Sequence, residues 1–130
     1  MMTKLMEPSE ISQQITFLHS GDLEVTKLFY NGLLGLEVVR DQGTCLIFKV
    51  TPSAFLGFCE HIEPLPEGRR VILTLVTEDI DEWYLQLKKN GAIIEEPPKA
   101  NTKFQIYHFF LKDPDGYWIE FQRFDHPLSG

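Results

Sequence analysis

"ITFLHSGDLEVTKLFYNGLLGLEVV", residues 15–39, and "VILTLVTEDIDEWYLQLKKNGAIIE", residues 71–95, decide the fold between them. Each reads as an apolar strand, a helix opened by an aspartate (Asp22, Asp79), a glycine stop and a second strand. In the later stretch Ile80, Trp83, Tyr84 and Leu87 recur at the i, i+3, i+4, i+7 spacing that puts them on one helix face. Asp79 is placed to cap that helix, with Glu82 three residues on as in a capping box, and Gly91 follows its end. The earlier helix sets Thr26, Phe29, Tyr30 and Leu33 on the matching face and stops near Gly35. The two stretches predict an internal duplication.

Short strand-like runs extend each copy. "LEVVR", "TCLIFKV" and "AFLGFCE" follow the first helix, parted by turns at Asp41-Gln42-Gly43 and Thr51-Pro52-Ser53. "AIIEE", "FQIYHFFLK" and "YWIEFQRF" follow the second, the last two joined by Asp113-Pro114-Asp115-Gly116, with "PPKANTK" as a loop able to cover a pocket. The expected architecture is α+β: two tandem βαβββ modules, residues 11–60 and 70–124, forming a curved mixed sheet around a concave cavity. Residues 61–69 are the expected linker, the ends of the chain are expected arms, and all 130 residues are read as one domain. Cys45 and Cys59 are equidistant from Pro52. A simple hairpin therefore sets them opposite each other, with Cys45, Ile47 and Lys49 facing the cavity beside Gly57 and Cys59.

The composition is that of a folded globular protein: 43% hydrophobic and 24% charged. Nineteen acidic against 12 basic residues give a formal charge of −7, with no Lys/Arg patch, which argues against a nucleic-acid partner. No segment approaches the roughly 20 consecutive apolar residues of a membrane helix, and the amino-terminal residues do not read as a signal peptide. The cytoplasm is the expected compartment, without a membrane partner, and it predicts buried thiols rather than a disulfide for Cys45 and Cys59.

The paired modules and above all "KDPDGYWIEF", residues 112–121, resemble the vicinal oxygen chelate superfamily, which includes glyoxalase I, the bleomycin-resistance proteins and extradiol dioxygenases. The resemblance covers residues 11 to 124. It implies a small-molecule ligand and a symmetric homodimer. In metal-dependent members a divalent ion is held by histidines on the first strands of the modules and carboxylates on their last strands. Glu120 matches one of those carboxylates. The histidine positions, seven residues before Asp22 and Asp79, hold Ile15 and Ile72, and the remaining carboxylate position falls on Gly57. One donor cannot hold a catalytic ion, which takes about three protein ligands. No cofactor is therefore expected. A divalent metal would need a rearranged site drawn from Glu120, His19, Glu60 and His61. His19 lies four residues beyond Ile15, roughly 13 Å along an extended strand, too far to replace it directly.

Alternation in the last strand groups Trp118, Glu120 and Gln122 on the cavity face, and Ile119 and Phe121 on the core face. With Ile15, Phe17, Lys49, Gly57, Ile72 and Thr74 they form the expected ligand cavity. Three functions follow. The first is metal-independent binding or sequestering of a small molecule, as the likeness to bleomycin-resistance proteins implies. The second is a metal-dependent lyase or dioxygenase resembling glyoxalase I with a rearranged site. The third is a metal-free enzyme with Glu120 as general base and His19 or His108 as acid. The plain structural alternatives are a water-facing strand residue at Glu120 and a strand-end hydrogen bond at His19.

Overall fold

The structure, a computed structural model, describes residues 10–64 and 71–128. Most of the expected linker (65–69) and the outer parts of both arms lie outside those residues. Two four-stranded mixed sheets carry the fold. Sheet one is built from β1 (Gln14–His19), β2 (Glu37–Asp41), β3 (Cys45–Thr51) and β4 (Ala54–Cys59), in the order β1-β4-β3-β2. Sheet two repeats it with β5 (Ile72–Val76), β6 (Lys99–Asn101), β7 (Ile106–Lys112) and β8 (Trp118–Phe124), in the order β5-β8-β7-β6. Within each sheet the first strand pairs parallel to the last and the other pairings are antiparallel. These are the two βαβββ modules.

Each sheet is covered on one face by its helix. In α2 (Ile80–Lys89), Ile80 and Leu87 are buried, and Trp83 and Tyr84 pack on Phe121 and Phe109 with ring centroids 5.0 and 5.6 Å apart. The first helix is α1 (Leu23–Lys27), continuing as π-helical turns through Leu28–Leu33. Its Tyr30 is fully buried and stacks on Phe58 at 4.4 Å. Among the described residues the second face of each sheet has no helix on it.

Three expectations are corrected. The strand expected at "AIIEE" is absent, and the short β6 forms inside the expected loop "PPKANTK". Pro97 and Pro98 lack N–H groups, so no ladder can run through them, and pairing with β7 begins only beyond them. Asp79 makes no side-chain capping bond; its own N–H is held by Thr77 Oγ1 at 3.1 Å, whereas Asp22 does cap α1 through Glu24 and Val25. Finally, Cys45 and Cys59 are joined as a disulfide rather than present as thiols. The hairpin register does pair Cys45 with Cys59 as expected, and two sulfurs on facing positions of one sheet face are within bonding reach.

The Asp113–Gly116 turn locks the modules together. The Asp113 carboxylate accepts the Tyr30 hydroxyl at 2.7 Å and the N–H groups of Asp115 and Tyr117, both at 2.9 Å. Asp115 accepts the Gly21 N–H at 2.9 Å, and the His19 N–H donates to the Tyr117 hydroxyl oxygen at 3.1 Å. Burial and the neighbouring carboxylate of Asp113 push the Tyr30 hydroxyl far up, so it stays a donor at every ordinary pH.

Burial also pushes the Asp113 carboxyl above its ordinary 3.8, against the opposing pull of Tyr30 and the two N–H groups. A carboxyl that holds its proton more tightly when folded adds most stability below its unfolded value and loses that contribution as pH rises through its folded value. Urea unfolding across this window is expected to show wild type losing stability, relative to Asp113→Asn, as the pH climbs from about 3.8. A flat difference between the two proteins would contradict the burial argument.

Candidate functional site

The duplication extends to individual side chains on the helix-free faces. In sheet one Ile15 pairs with Phe55 and Phe17 with Gly57; in sheet two Ile72 pairs with Trp118 and Thr74 with Glu120. On the neighbouring strands Cys45 faces Cys59 where His108 faces Gln122. Gly57 is thus the counterpart of Glu120, and the cysteine pair the counterpart of His108 and Gln122. Matched positions have become different chemistry.

Sheet two carries a polar cluster. Glu120 is 7% exposed, a carboxylate deep in a sheet face. Its Oε1 accepts the Thr74 hydroxyl at 2.8 Å, and its Oε2 lies 2.6 Å from His108 Nδ1. The orientation of the Gln122 amide that matches donors to acceptors turns its nitrogen to both carboxylate oxygens, at 3.1 and 2.8 Å. An acceptor this deep is sustained because every lone-pair direction meets a donor. In the neutral imidazole, Nδ1–H given to Glu120 leaves Nε2 as an acceptor. Among the described residues no hydrogen bond reaches that Nε2.

His108 is also a wall of a cavity of about 740 Å³. The cavity lies where β6 no longer covers β7, and Phe29, Leu33, Phe110, Lys112 and Trp118 are among its other walls. Phe110 meets both the His108 ring, at 5.2 Å, and the Trp118 ring, at 5.8 Å, edge-on. Lys112 Nζ sits 4.7 Å from the centre of the Trp118 ring. The result is a pocket with several aromatic walls, the His108 imidazole, and charged wall residues of both signs, Lys99 and Lys112 with Glu95, Glu96 and Asp113; apolar walls with a few polar groups are the usual make-up of a small-molecule site. Glu120, Thr74 and Gln122 are not walls; they stand behind His108.

Of the other expected cavity residues, Trp118 lines this pocket. Ile15, Phe17, Lys49, Gly57 and Ile72 belong to the helix-free sheet faces but not to its wall. His19 Nδ1 lies 2.7 Å from the Ile62 carbonyl, the strand-end hydrogen bond that was its plain alternative. Glu60 is exposed.

The positions that the resemblance assigns to a divalent ion do not fit one. Ile15 and Ile72 have no donor atom, and the Phe17 ring lies over Gly57 so closely that a Cβ there would collide with it. No carboxylate could stand at that position without moving Phe17. Nor are His19, Glu60, His61 and Glu120 brought together: among the described residues the one group of three such donors within 4.8 Å is Cys45, Cys59 and His61. His108 is the residue that sequence reasoning left unplaced. Its signal was available, because counting back from the Asp113–Gly116 turn sets His108 opposite Gln122 on the Glu120 face.

The comparisons with known proteins agree with this architecture. The family model described as Glyoxalase/Bleomycin resistance protein/Dioxygenase superfamily matches residues 13–121. The uncharacterised protein YwbC of Bacillus subtilis (strain 168) is 30% identical over 112 residues, which cover 77% of this chain and 87% of that protein. A glyoxalase/bleomycin resistance protein/dioxygenase from Nocardioides superposes with a TM-score of 0.74 at 19% identity, covering 97% of this chain and 91% of that one. Lactoylglutathione lyase from Agrobacterium tumefaciens superposes with a TM-score of 0.70 at 21% identity, covering 89% and 94%. Likenesses at such identities establish a shared fold.

Proposed function

Because the chain belongs to the Glyoxalase/Bleomycin resistance protein/Dioxygenase superfamily, we propose that it is a metal-independent small-molecule-binding protein of that superfamily, using the aromatic cavity beside His108. The observation that carries this reading is the buried Nδ1–Oε2 contact of 2.6 Å between His108 and Glu120 at the cavity wall. The carboxylate orients the ring and raises the acceptor strength of Nε2. A planar ligand with a hydrogen-bond donor would bond to Nε2 and lie against Phe110 and Trp118. An acidic group on it would meet Lys112. Aromatic walls supply area and the imidazole supplies orientation.

The dyad also supports a second reading, a metal-free enzyme in which Nε2 takes a proton from the bound molecule while Glu120 stabilises the imidazolium. Turnover of a bound compound that ceases in His108→Gln would favour it over simple sequestering.

The test starts from the donor set. Protein stripped with chelator is expected to keep its full affinity for aromatic compounds found by thermal shift, within about twofold, since none of the site's contacts needs an ion. Affinity that appears only after divalent metal is restored would overturn the metal-independent reading.

The chain is further read as a homodimer in the cytoplasm. Among the described residues no helix is long and apolar enough to cross a membrane. The outer strands β1 and β5 expose Ile15, Phe17, Ile72 and Val76 by 41, 43, 53 and 61%, an apolar surface that a second copy would cover.

A further inference from the structure

We propose that Cys45, Cys59 and His61 form a redox-gated binding site for a soft divalent cation such as Zn²⁺, closed by the disulfide and opened when the pair is reduced. This site is separate from the ligand cavity: it lies on sheet one, at the position that His108 and Gln122 occupy on sheet two.

Two thiolates and an imidazole are the donor types that select such ions. Cys45 Sγ and His61 Nδ1 are 3.8 Å apart. That is slightly longer than the edge, roughly 3.5 Å, of a tetrahedron with metal–sulfur and metal–nitrogen bonds of roughly 2.3 and 2.0 Å. All three donor atoms lie within 4.8 Å of one another. The sulfurs do not depend on their bond to stay adjacent. Cys45 and Cys59 are facing residues of the β3–β4 ladder, and the Glu60 N–H donates to the Thr44 carbonyl at 3.0 Å, which extends the pairing one residue past them. In the reduced state a modest rotation of the side chains would separate the sulfurs into two corners of a tetrahedron. His61 is exposed, so the fourth corner faces solvent and takes a water.

Opening needs a dithiol reductant. One of its thiolates attacks Cys45 Sγ, the sulfur beside exposed His61. The disulfide bond breaks and its electron pair leaves on Cys59 Sγ. The reductant's second thiolate then displaces Cys45 Sγ and closes the reductant to its own disulfide. Two electrons are transferred, and the protons that the thiols would carry pass to solvent when the metal binds. In a reducing compartment the site is available; under oxidation it closes and releases its ion.

The experiment uses the whole chain, reduced with dithiothreitol and desalted without oxygen, beside the untreated disulfide form. Each is titrated with Zn²⁺ and with Co²⁺. The reduced form is expected to bind about one ion per chain, and its Co²⁺ complex to show thiolate charge-transfer and tetrahedral d–d absorption. The disulfide form is expected to show neither. His61→Ala, a change at an exposed side chain, should weaken binding about tenfold or more while leaving both thiols titratable. Cys59→Ser should abolish binding. Equal metal uptake by both redox forms, no uptake by the folded reduced form, or unchanged affinity in His61→Ala would each overturn the proposal. If Cys59→Ser does not fold, the redox comparison and His61→Ala decide it.

Discussion

Asp113→Ala is expected to lower the unfolding free energy by about 3–5 kcal/mol. Three donors converge on that carboxylate: the fully buried Tyr30 hydroxyl and the N–H groups of Asp115 and Tyr117. Alanine leaves all three without an acceptor, and each bond to an ionised acceptor contributes about 1.5–3 kcal/mol, with strong overlap among them. The loss spreads beyond the turn, because Tyr30 belongs to the first module and Asp113 to the second. Asp113→Asn keeps an acceptor for the backbone groups and is expected to lose only about 1 kcal/mol. Chemical unfolding of the three proteins reads both numbers. Near-equal stability of the alanine variant and wild type would show that the latch between the modules contributes nothing.

The second large effect concerns binding. Glu120→Ala and His108→Ala are each expected to weaken an aromatic ligand found by thermal shift by roughly ten- to a hundredfold, about 1.4–3 kcal/mol. Their double variant should be no weaker than either single one. The reason is that Glu120 does not line the cavity and acts only through the ring it holds: with His108 gone its contribution has no route to the ligand. Thr74 and Gln122 serve the same carboxylate, so Thr74→Val should weaken binding less and in the same direction. Glu120→Gln separates charge from shape, since it preserves an acceptor for Nδ1–H and fills the same volume. Titration calorimetry measures all of these. Additive losses in the double variant would mean that Glu120 reaches the ligand directly.

Much of this fold was legible in the sequence because its patterning is periodic and doubled. The i, i+3, i+4, i+7 spacing of Ile80, Trp83, Tyr84 and Leu87 had one reading, and α2 packs that face on sheet two. Pro52 fixed the β3–β4 register closely enough to set Cys45 opposite Cys59. The strand at "AIIEE" was misread because a short apolar run outweighed the two prolines behind it. The bonding state of the cysteines was misread for another reason: register gives the distance between two sulfurs, while the compartment was inferred from the lack of a readable targeting or membrane segment. For the site, "KDPDGYWIEF" blurred two tasks. Its Asp113, Asp115 and Tyr117 hold the modules together, Lys112, Asp113, Pro114 and Trp118 line the cavity, and Glu120 supports it from behind His108. His108 was named as a candidate acid but its face was left open, because a histidine amid aromatic residues carries no motif. Its meaning comes from the strand across from it.

The most direct measurement is the ¹⁵N resonance pair of the His108 imidazole, recorded on chelator-treated protein with and without an aromatic compound that raises its melting temperature. A bound ligand should move the Nε2 resonance while Nδ1 keeps the signature of a proton shared with Glu120. A ligand that binds without moving either His108 nitrogen, or that binds only when divalent metal is present, would contradict the account of a metal-independent site built on this dyad.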